Sequence, residues 1–198
     1  MSKYDEVIEF VDNQYMLTTD DFKRNKISYY YIQKLLKDGY ITQSGKGVYY
    51  KSDMFEDEFY ILQHRFKEII FSYNIALYFM NKTEITPSSY DITVPYNYHV
   101  YIDHRHIRIH YVNKDQINLG AITVKSPYGN DIRCYSYERT ICDIVKKDTR
   151  TDIDIEQRNK IIRAAFYDYK DTDWTLIYKY AKILKCDNKL NNLIEILE

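Results

Sequence analysis

The first hydrophobic residues of the chain recur at helical spacing and predict two short helices. The apolar positions of the first helix are Val7, Ile8, Phe10 and Val11. Thr18 or Thr19 can cap a second helix that runs through Phe22, because a hydroxyl side chain accepts hydrogen bonds from the free N–H groups of a first turn. The negative charges of Asp20 and Asp21 suit the positive N-terminal end of that helix. The chain therefore begins with two helices.

The next segment predicts a third helix and a β-hairpin. The helix runs from about 28 to 38, with Ser28 as its N-cap and Gly39 following it in the left-handed conformation that glycine adopts without strain. Its inward-facing positions are Ile32, Leu35 and Leu36. The opposite, outward face is predicted to carry Tyr29, Tyr30, Gln33, Lys34 and Lys37. Residues 40–42 and 48–50 are typical of two short strands joined by a glycine-containing turn. Three helices followed by a hairpin predict a winged helix-turn-helix.

After residue 52 the pattern changes to that of a mixed α+β domain. Strands are indicated at residues 91–94, 105–112, 121–125 and 131–134. Helices are indicated at residues 59–66, 72–81, 137–147, 154–169, 173–185 and 188–197. Residues 51–57 are expected to be a linker. We predict an α+β fold with a winged helix-turn-helix domain over residues 1–52 and an α+β domain, ending in helices, over residues 53–198.

The composition is that of a folded, water-soluble protein. The chain has 198 residues, of which 45% are hydrophobic and 29% charged, and its longest apolar run is too short to span a bilayer. Three cysteines, with no Cys-x-x-Cys pair, do not support a disulfide framework or a zinc finger. We therefore expect a cytoplasmic protein with no membrane partner.

The charge is distributed unevenly along the chain, although the net charge is only −1. Residues 1–21 carry one lysine against six acidic residues, whereas residues 22–51 carry seven basic residues against Asp38 alone. A local excess of six positive charges on a predicted winged helix is typical of a nucleic-acid interface. The alternative is that the same module binds another protein and that its lysines only solvate the surface.

The predicted third helix and its flanking turns supply the candidate DNA contacts. Gln33 can reach an adenine edge in the major groove, and lysines can reach phosphates. Basic residues before the helix and Lys46 at the tip of the hairpin occupy the positions where such a module straddles the DNA backbone. The candidate DNA-binding residues are Lys23, Arg24, Lys26, Ser28, Tyr29, Tyr30, Gln33, Lys34, Lys37 and Lys46.

Other residues that could carry chemistry do not form a recognisable site. His104, His106 and His110 share one face of a predicted strand, but no partner carboxylate is evident, so a solvated face is favoured over a metal site. The Asp-x-Asp pairs at 152–154 and 171–173 are interpreted as helix N-caps. We predict no catalytic residues, no metal and no cofactor, so the protein is not expected to be an enzyme. Arg139 is the one candidate for clamping a carboxylate, in the sheet or on a partner.

Several segments occur in a characteristic order along the chain. They are Gly47-Val48-Tyr49, Phe71-Ser72-Tyr73-Asn74-Ile75-Ala76-Leu77-Tyr78, Ile92-Thr93-Val94-Pro95, Ser126-Pro127-Tyr128-Gly129-Asn130 and Tyr137-Glu138-Arg139-Thr140-Ile141-Cys142-Asp143-Ile144. In this order they resemble the AbiEi antitoxins of bacterial abortive-infection systems, and the resemblance covers nearly the whole chain. The resemblance implies a winged-helix domain that binds inverted repeats in its own promoter and represses the operon. It also implies a C-terminal domain that counters a nucleotidyltransferase toxin.

The same resemblance implies a type IV toxin–antitoxin system that acts in phage defence, in which the antitoxin opposes the toxin without a stable complex. Because one winged domain reads only a half-site, we expect a monomer in solution that binds double-stranded DNA cooperatively at inverted repeats.

Overall fold

The computed structural model describes residues 2–102, 106–146, 153–167, 170 and 172–197. The helices are α1 (Lys3–Asp12), α2 (Thr19–Arg24), α3 (Tyr29–Lys37), α4 (Glu58–Arg65), α5 (Tyr73–Phe79), α6 (Tyr137–Lys146), α7 (Ile155–Tyr167), α8 (Trp174–Leu184) and α9 (Asp187–Leu197). The strands are β1 (Met16–Thr18), β2 (Ile41–Gly45), β3 (Val48–Lys51), β4 (Ile70–Phe71), β5 (Tyr90–Pro95), β6 (Ile107–Val112), β7 (Ala121–Lys125) and β8 (Asp131–Tyr135). The fold is mixed α+β, as predicted.

The chain forms two compact units. The first comprises Met1–Lys67 and Lys125–Ile132, and the second comprises Glu68–Val124 and Arg133–Glu198. The sequence placed the division after residue 52, before α4. In the structure α4 and the β7–β8 turn both belong to the first unit.

The predicted linker contains a residue that explains this division. Asp57 is fully buried and is the N-cap of α4. Its carboxylate accepts hydrogen bonds from the Ser126 hydroxyl at 2.5 Å and from the Asn130 amide at 2.7 Å. A buried carboxylate needs such donors, because burial without partners costs several kcal/mol. Residues 51–57 are therefore not simply a spacer, since their last residue joins α4 to the β7–β8 turn.

The first unit contains a three-stranded antiparallel sheet in the order β1-β3-β2. The predicted hairpin is confirmed as β2 and β3, but β1 was not predicted. Its three residues are all buried and so lack the alternation of a half-buried strand. Pairing of Met16 with Tyr50 makes β3 the central strand.

Local capping explains where the N-terminal helices begin and end. Thr18, rather than Thr19, is the N-cap of α2, and it forms a capping box with Asp21. Ser28 precedes α3 in extended conformation, and Gly39 follows it with φ +69°. These helices enclose one apolar core with the sheet. The core residues are Val7, Val11, Leu17, Phe22, Ile27, Ile32, Leu35, Ile41 and Tyr49.

The second unit is built on a five-stranded mixed sheet in the order β6-β5-β4-β8-β7. Strand β5 runs parallel to β6 and antiparallel to β4, and β4 runs parallel to β8. The predicted C-terminal helices are confirmed as α6 to α9. Together with α5 they bury a second core that includes Leu77, Ile141, Val145, Ile162, Ala165, Ile177, Ala181, Leu184 and Leu190.

Arg139, on α6, is buried and has no exposed surface. Its Nε lies 3.0–3.1 Å from both carboxylate oxygens of Asp143, one turn along α6. Its Nη1 donates to the backbone carbonyls of Gln116 and Leu119 at 3.0 and 2.7 Å. Arg139 therefore clamps a carboxylate of its own helix and ties that helix to the loop before β7.

Of the histidine and aspartate residues singled out in the sequence, His110, Asp154 and Asp173 have structural roles. His110 is buried, contrary to the expected solvated face, and its Nε2 lies 2.8 Å from Oδ1 of the buried Asp91. Asp154 and Asp173 accept hydrogen bonds from the first turns of α7 and α8, which confirms them as caps. His104, Arg105, Asp152 and Asp171 lie outside the described residues. Within the described part of the chain, no helix has the length and apolar character needed to cross a membrane.

Candidate nucleic-acid interface

Helix α3 has one face in the core of the first unit and the opposite face in solvent. Ile32 and Leu35 are fully buried, which orients the rest of the helix around them. Tyr29 and Tyr30 retain 62% and 67% of their accessible surface. The exposed residues on α3 and its N-cap are Ser28, Tyr29, Tyr30, Gln33 and Lys37. The predicted outward face is thus confirmed for Tyr29, Tyr30, Gln33 and Lys37.

The Ser28 hydroxyl makes no capping hydrogen bond to α3. A serine at this position ordinarily accepts a bond from the N–H group of the second or third helical residue. The N–H of Tyr31 donates to the Ser28 carbonyl at 3.0 Å instead, which leaves the N–H groups of Tyr29 and Tyr30 at the start of the helix, next to an exposed hydroxyl. Such a helix start is compatible with an anion in front of it.

The turn between α2 and α3 is closed by Lys26 in the left-handed conformation, with φ +56°. Its backbone N–H donates to the carbonyl of Lys23 at 2.9 Å, and the N–H of Ile27 donates to the carbonyl of Phe22 at 2.9 Å. Glycine is the usual residue at such a position, because a Cβ atom is strained there. The lysine side chain is exposed and is carried on a rigid turn.

Lys23 and Arg24 are exposed but already interact with acidic residues of their own helix. The ammonium group of Lys23 lies 3.6 Å from the Asp20 carboxylate, and Arg24 pairs with Asp21. Exposed pairs of this kind contribute only about 0–1 kcal/mol, so both cations can exchange their carboxylate for a phosphate. They are nevertheless weaker phosphate ligands than unpaired cations, because a new contact must replace an existing one.

Lys34 differs from the prediction that it projects outward. Its side chain is half-buried, and its ammonium group lies over the ring of Tyr4. The Tyr4 hydroxyl donates to Asp38 at 2.6 Å, and this hydrogen bond raises the pKa of Tyr4 to about 12. The sequence pattern could not indicate this contact, because Tyr4 lies on a different helix.

Lys46 is exposed at the tip of the β2–β3 hairpin, as predicted. The turn depends on Gly47, which has φ +72° and whose carbonyl accepts a hydrogen bond from the backbone N–H of Thr19 at 2.9 Å. A Cβ atom on Gly47 would lie 2.9 Å from the Thr19 hydroxyl. The hairpin tip is therefore held against the start of α2. Lys26, Lys37 and Lys46 have no ion-pair partner among the residues that the structure describes.

A cleft of about 520 Å³ lies between the hairpin tip and α4, within the first unit. It is lined by Ser44 to Lys46, Val48 and, on α4, Ile61, His64 and Arg65. A second cleft of about 260 Å³ lies beside it, and Lys46 and His64 line both. The α4 residues Ile61, His64 and Arg65 were not among the predicted contacts, because the predicted domain boundary lay before α4. The run His64-Arg65-Phe66-Lys67 was the available signal.

His64 is the one titratable imidazole at these clefts among the described residues. Its Nδ1 lies 3.1 Å from the ammonium group of Lys67, and since an ammonium group only donates, Nδ1 is the acceptor. Burial lowers the pKa of His64 below its ordinary value of 6.5, and the Lys67 charge lowers it further. The neutral imidazole is therefore favoured at neutral pH.

The described residues contain no cluster of three or more His, Cys, Asp or Glu side chains that could hold a metal ion. The geometry at the hairpin and α3 is instead that of a surface with exposed cations, an exposed amide and exposed tyrosines.

Comparisons with known proteins establish the fold and nothing more specific. No protein-family model matches the sequence, and no curated protein matches it either. A similar solved structure is the crystal structure of the RV2827C protein from Mycobacterium tuberculosis, with a TM-score of 0.50 and 10% sequence identity. The alignment covers 98% of this chain and 82% of that protein. At this identity the similarity concerns the fold alone.

Proposed function

We propose that the first unit is a winged helix-turn-helix that binds double-stranded DNA. In this proposal α3 enters the major groove, and the β2–β3 hairpin is the wing that touches the flanking backbone. The element order α1-β1-α2-α3-β2-β3 and the sheet order β1-β3-β2 support the proposal. The face of α3 opposite Ile32 and Leu35 is free to meet the bases.

One observation carries the proposal: the exposed face of α3 has a lysine at each end, and neither of these lysines, nor Lys46 on the hairpin, has an acidic partner in the described chain. Lys26 precedes the helix, Lys37 is in its last turn, and Lys46 is on the hairpin. Phosphate contacts position a protein on the duplex, whereas Gln33 supplies an amide that can read an adenine edge. This distribution of roles matches the requirements of sequence-specific binding.

We further propose that the chain is the antitoxin and transcriptional autorepressor of a type IV toxin–antitoxin operon. The support is the resemblance to AbiEi antitoxins, carried above all by residues 126–130 and 137–144. In this proposal the protein binds inverted repeats in its own promoter. It counteracts a nucleotidyltransferase toxin without forming a stable complex with it, and it acts in the cytoplasm during phage defence.

DNA binding is tested by titrating duplex DNA from upstream of the gene with the full chain and following fluorescence anisotropy. If three to five cations meet phosphates, log affinity falls against log salt with a slope of about −3 to −4.5 per monomer. Gln33→Ala should remove about 1–3 kcal/mol of discrimination at one base pair, whereas Lys46→Ala should weaken binding to all sequences equally.

Lys179→Ala is the matched control, because Lys179 is an exposed lysine on α8 in the second unit. It should bind like the wild-type chain. A salt slope near zero, or an unchanged sequence preference in Gln33→Ala, contradicts the proposed interface.

The antitoxin proposal requires a nucleotidyltransferase reading frame beside the gene, and it is tested by looking for that reading frame and co-expressing its product with this chain. Growth should be restored by the wild-type chain and also by Lys46→Ala, because repression and toxin antagonism belong to different units in this proposal. Repression of a promoter fusion should be lost only in Lys46→Ala. Failure of the wild-type chain to restore growth rejects the antitoxin function while leaving DNA binding untouched.

A second candidate is a protein-interaction module in which the same surface binds no DNA. The large exposed fractions of the adjacent Tyr29 and Tyr30 favour it, because tyrosine is enriched at protein interfaces. The anisotropy titration separates the two candidates, since this alternative requires the absence of binding to duplex DNA at physiological salt.

A further inference from the structure

The larger cleft, between the β2–β3 hairpin and α4, is lined by two cations, Lys46 from the hairpin and Arg65 from the last turn of α4. His64 lines both clefts, and the smaller cleft is also lined by Asp20. None of the described residues that line the larger cleft is acidic. Lys67, which contacts His64, adds another exposed cation just beyond the helix.

Basic residues at the end of a helix can simply complement the negative end of its dipole. That dipole is equivalent to about half an elementary charge, and one cation is enough to offset it. Here Arg65 and Lys67 are both exposed, neither has a carboxylate partner among the described residues, and Lys46 adds a third charge from another element. The excess charge is thus larger than the helix end requires, and two of the three cations, Lys46 and Arg65, line the cleft.

We propose that this cleft binds the phosphodiester backbone of the DNA that flanks the site read by α3. The inference rests on the proposed DNA-binding function. Lys46 connects the two, because it lies at the hairpin tip and also lines both clefts. A backbone that touches the hairpin tip therefore passes the mouth of the cleft, where Arg65 and Lys67 provide the next cations. A guanidinium fork suits phosphate oxygens in particular.

A volume of about 520 Å³ falls within the range of small-molecule sites, so a free phosphate compound is the competing ligand. The DNA backbone is favoured over a free phosphate compound because the exposed hairpin tip forms one wall of the cleft, so the cleft is not an enclosed pocket. The footprint of the first unit then extends past the hairpin toward the C-terminal end of α4. This extension adds affinity without adding sequence preference.

The test compares two duplexes, one ending at the hairpin-side edge of the operator and one extended by a flank. The full-length chain, Arg65→Gln, and the double variant Arg65→Gln/Lys67→Gln are titrated across a salt series. Each lost phosphate contact should reduce the magnitude of the log–log salt slope by about 0.9 and weaken binding roughly eightfold at 0.1 M salt. These losses should occur on the extended duplex only, with sequence preference unchanged.

Two controls keep the result specific. Arg65→Lys keeps the positive charge and should retain the wild-type slope, and Arg163→Gln removes an exposed arginine from α7 and should have no effect. Lys67→Gln alone, at an exposed position after α4, supplies a second variant if Arg65→Gln proves unstable by thermal melting.

The possible outcomes separate this inference from the proposed function. Failure of the wild-type chain to bind either duplex rejects both. Binding with an unchanged slope in Arg65→Gln/Lys67→Gln, or no gain from the flank, rejects the cleft alone. Inorganic phosphate is the third arm: if it shifts the His64 imidazole resonance while the flanked duplex does not, the cleft is a site for free phosphate and the inference is wrong.

Discussion

The ammonium group of Lys34 lies 3.9 Å from the centroid of the Tyr4 ring. Tyr4 also stacks on Tyr31, with ring centroids 6.4 Å apart, and donates a hydrogen bond to Asp38. Helix α3 therefore contacts α1 at its middle, through Lys34 and Tyr31, and at its C-terminal end, through Asp38. The other lysine of α3, Lys37, has no ion-pair partner in the described chain. A cation over an aromatic face at an exposed site contributes about 0.5–1 kcal/mol, which a phosphate contact by Lys34 would have to replace.

Lys34→Ala and Lys37→Ala should therefore affect different properties. We expect Lys37→Ala to reduce the magnitude of the salt slope of DNA binding by about 0.9 and to leave the melting temperature unchanged. Lys34→Ala should lower the free energy of unfolding by about 0.5–1 kcal/mol and leave the slope nearly unchanged. Salt titrations and thermal melts of both variants measure this. Equal slope changes would show that Lys34 leaves Tyr4 to bind DNA.

Lys26→Gly should separate the contribution of the Lys26 charge to DNA binding from the effect of backbone strain at the α2–α3 turn on stability. Glycine relieves the left-handed conformation at φ +56°, which costs a non-glycine residue about 1–2 kcal/mol. We expect the variant to melt at the wild-type temperature or a few degrees above it and to bind DNA more weakly. Lys26→Ala is the control, because it loses the charge but keeps the strain. A marked loss of stability in Lys26→Gly would mean that the lysine side chain holds the turn.

DNA binding should strengthen as the pH falls, through His64. A phosphate in the adjacent cleft favours the imidazolium form, so the pKa of His64 rises on binding and a proton is taken up. Affinity therefore increases as the pH falls through the pKa of the complex, by up to roughly tenfold for each unit by which binding raises it. The charged and titratable groups that surround this imidazole are Asp20, Asp21, Lys46, Tyr60, Arg65 and Lys67.

His64→Gln should lose this increase while keeping its affinity at pH 7.5. Binding curves at pH 7.5 and 5.5 for both proteins test the assignment. If the two pH profiles coincide, the protonation that matters belongs to another group.

Arg139→Met should strongly destabilise the second unit. It removes the cation from the buried Asp143 and leaves the carbonyls of Gln116 and Leu119 without their donor. Breaking a buried pair in this way costs about 3–5 kcal/mol, whereas replacing both partners by apolar residues costs much less. Arg139→Met/Asp143→Leu should therefore recover part of the loss, as measured by urea unfolding. A double variant no more stable than the single variant would contradict this explanation.

The loss in free energy of unfolding caused by Arg139→Met should also depend on pH. Burial raises the pKa of Asp143, and Arg139 opposes that rise, so its removal raises the pKa further. Because the pKa of Asp143 is higher in the folded state than in the unfolded chain, ionisation of this carboxyl destabilises the fold. This destabilisation is absent at a pH below the pKa of the unfolded chain and grows as the pH rises above that value. Unfolding at pH 4 and pH 7 should show the smaller difference from wild type at pH 4.

Local sequence information was sufficient for most elements. Caps, glycines and helical spacing act within four residues of one another, so α3, the hairpin and α6 to α9 could be located from the sequence, although β2 extends beyond the predicted strand to Gly45. The outward positions of Tyr30, Gln33 and Lys37 followed from the same spacing, because Ile32 and Leu35 determine which side of the helix is buried. Strand β1 was missed because it pairs with β3, more than thirty residues away in the sequence.

What the sequence alone determined is the order of most elements, the α+β class and the concentration of positive charge in residues 22–51. Only the tertiary structure decided which of those charged side chains are free of ion pairs and aromatic contacts within the described chain. Tyr4 lies over Lys34, Asp20 and Asp21 pair with Lys23 and Arg24, and α4 adds Arg65 and Lys67 to the hairpin side. The physical reason is range: backbone conformation is governed by neighbours in the chain, whereas a charge interacts with whatever the folded chain brings within a few ångströms.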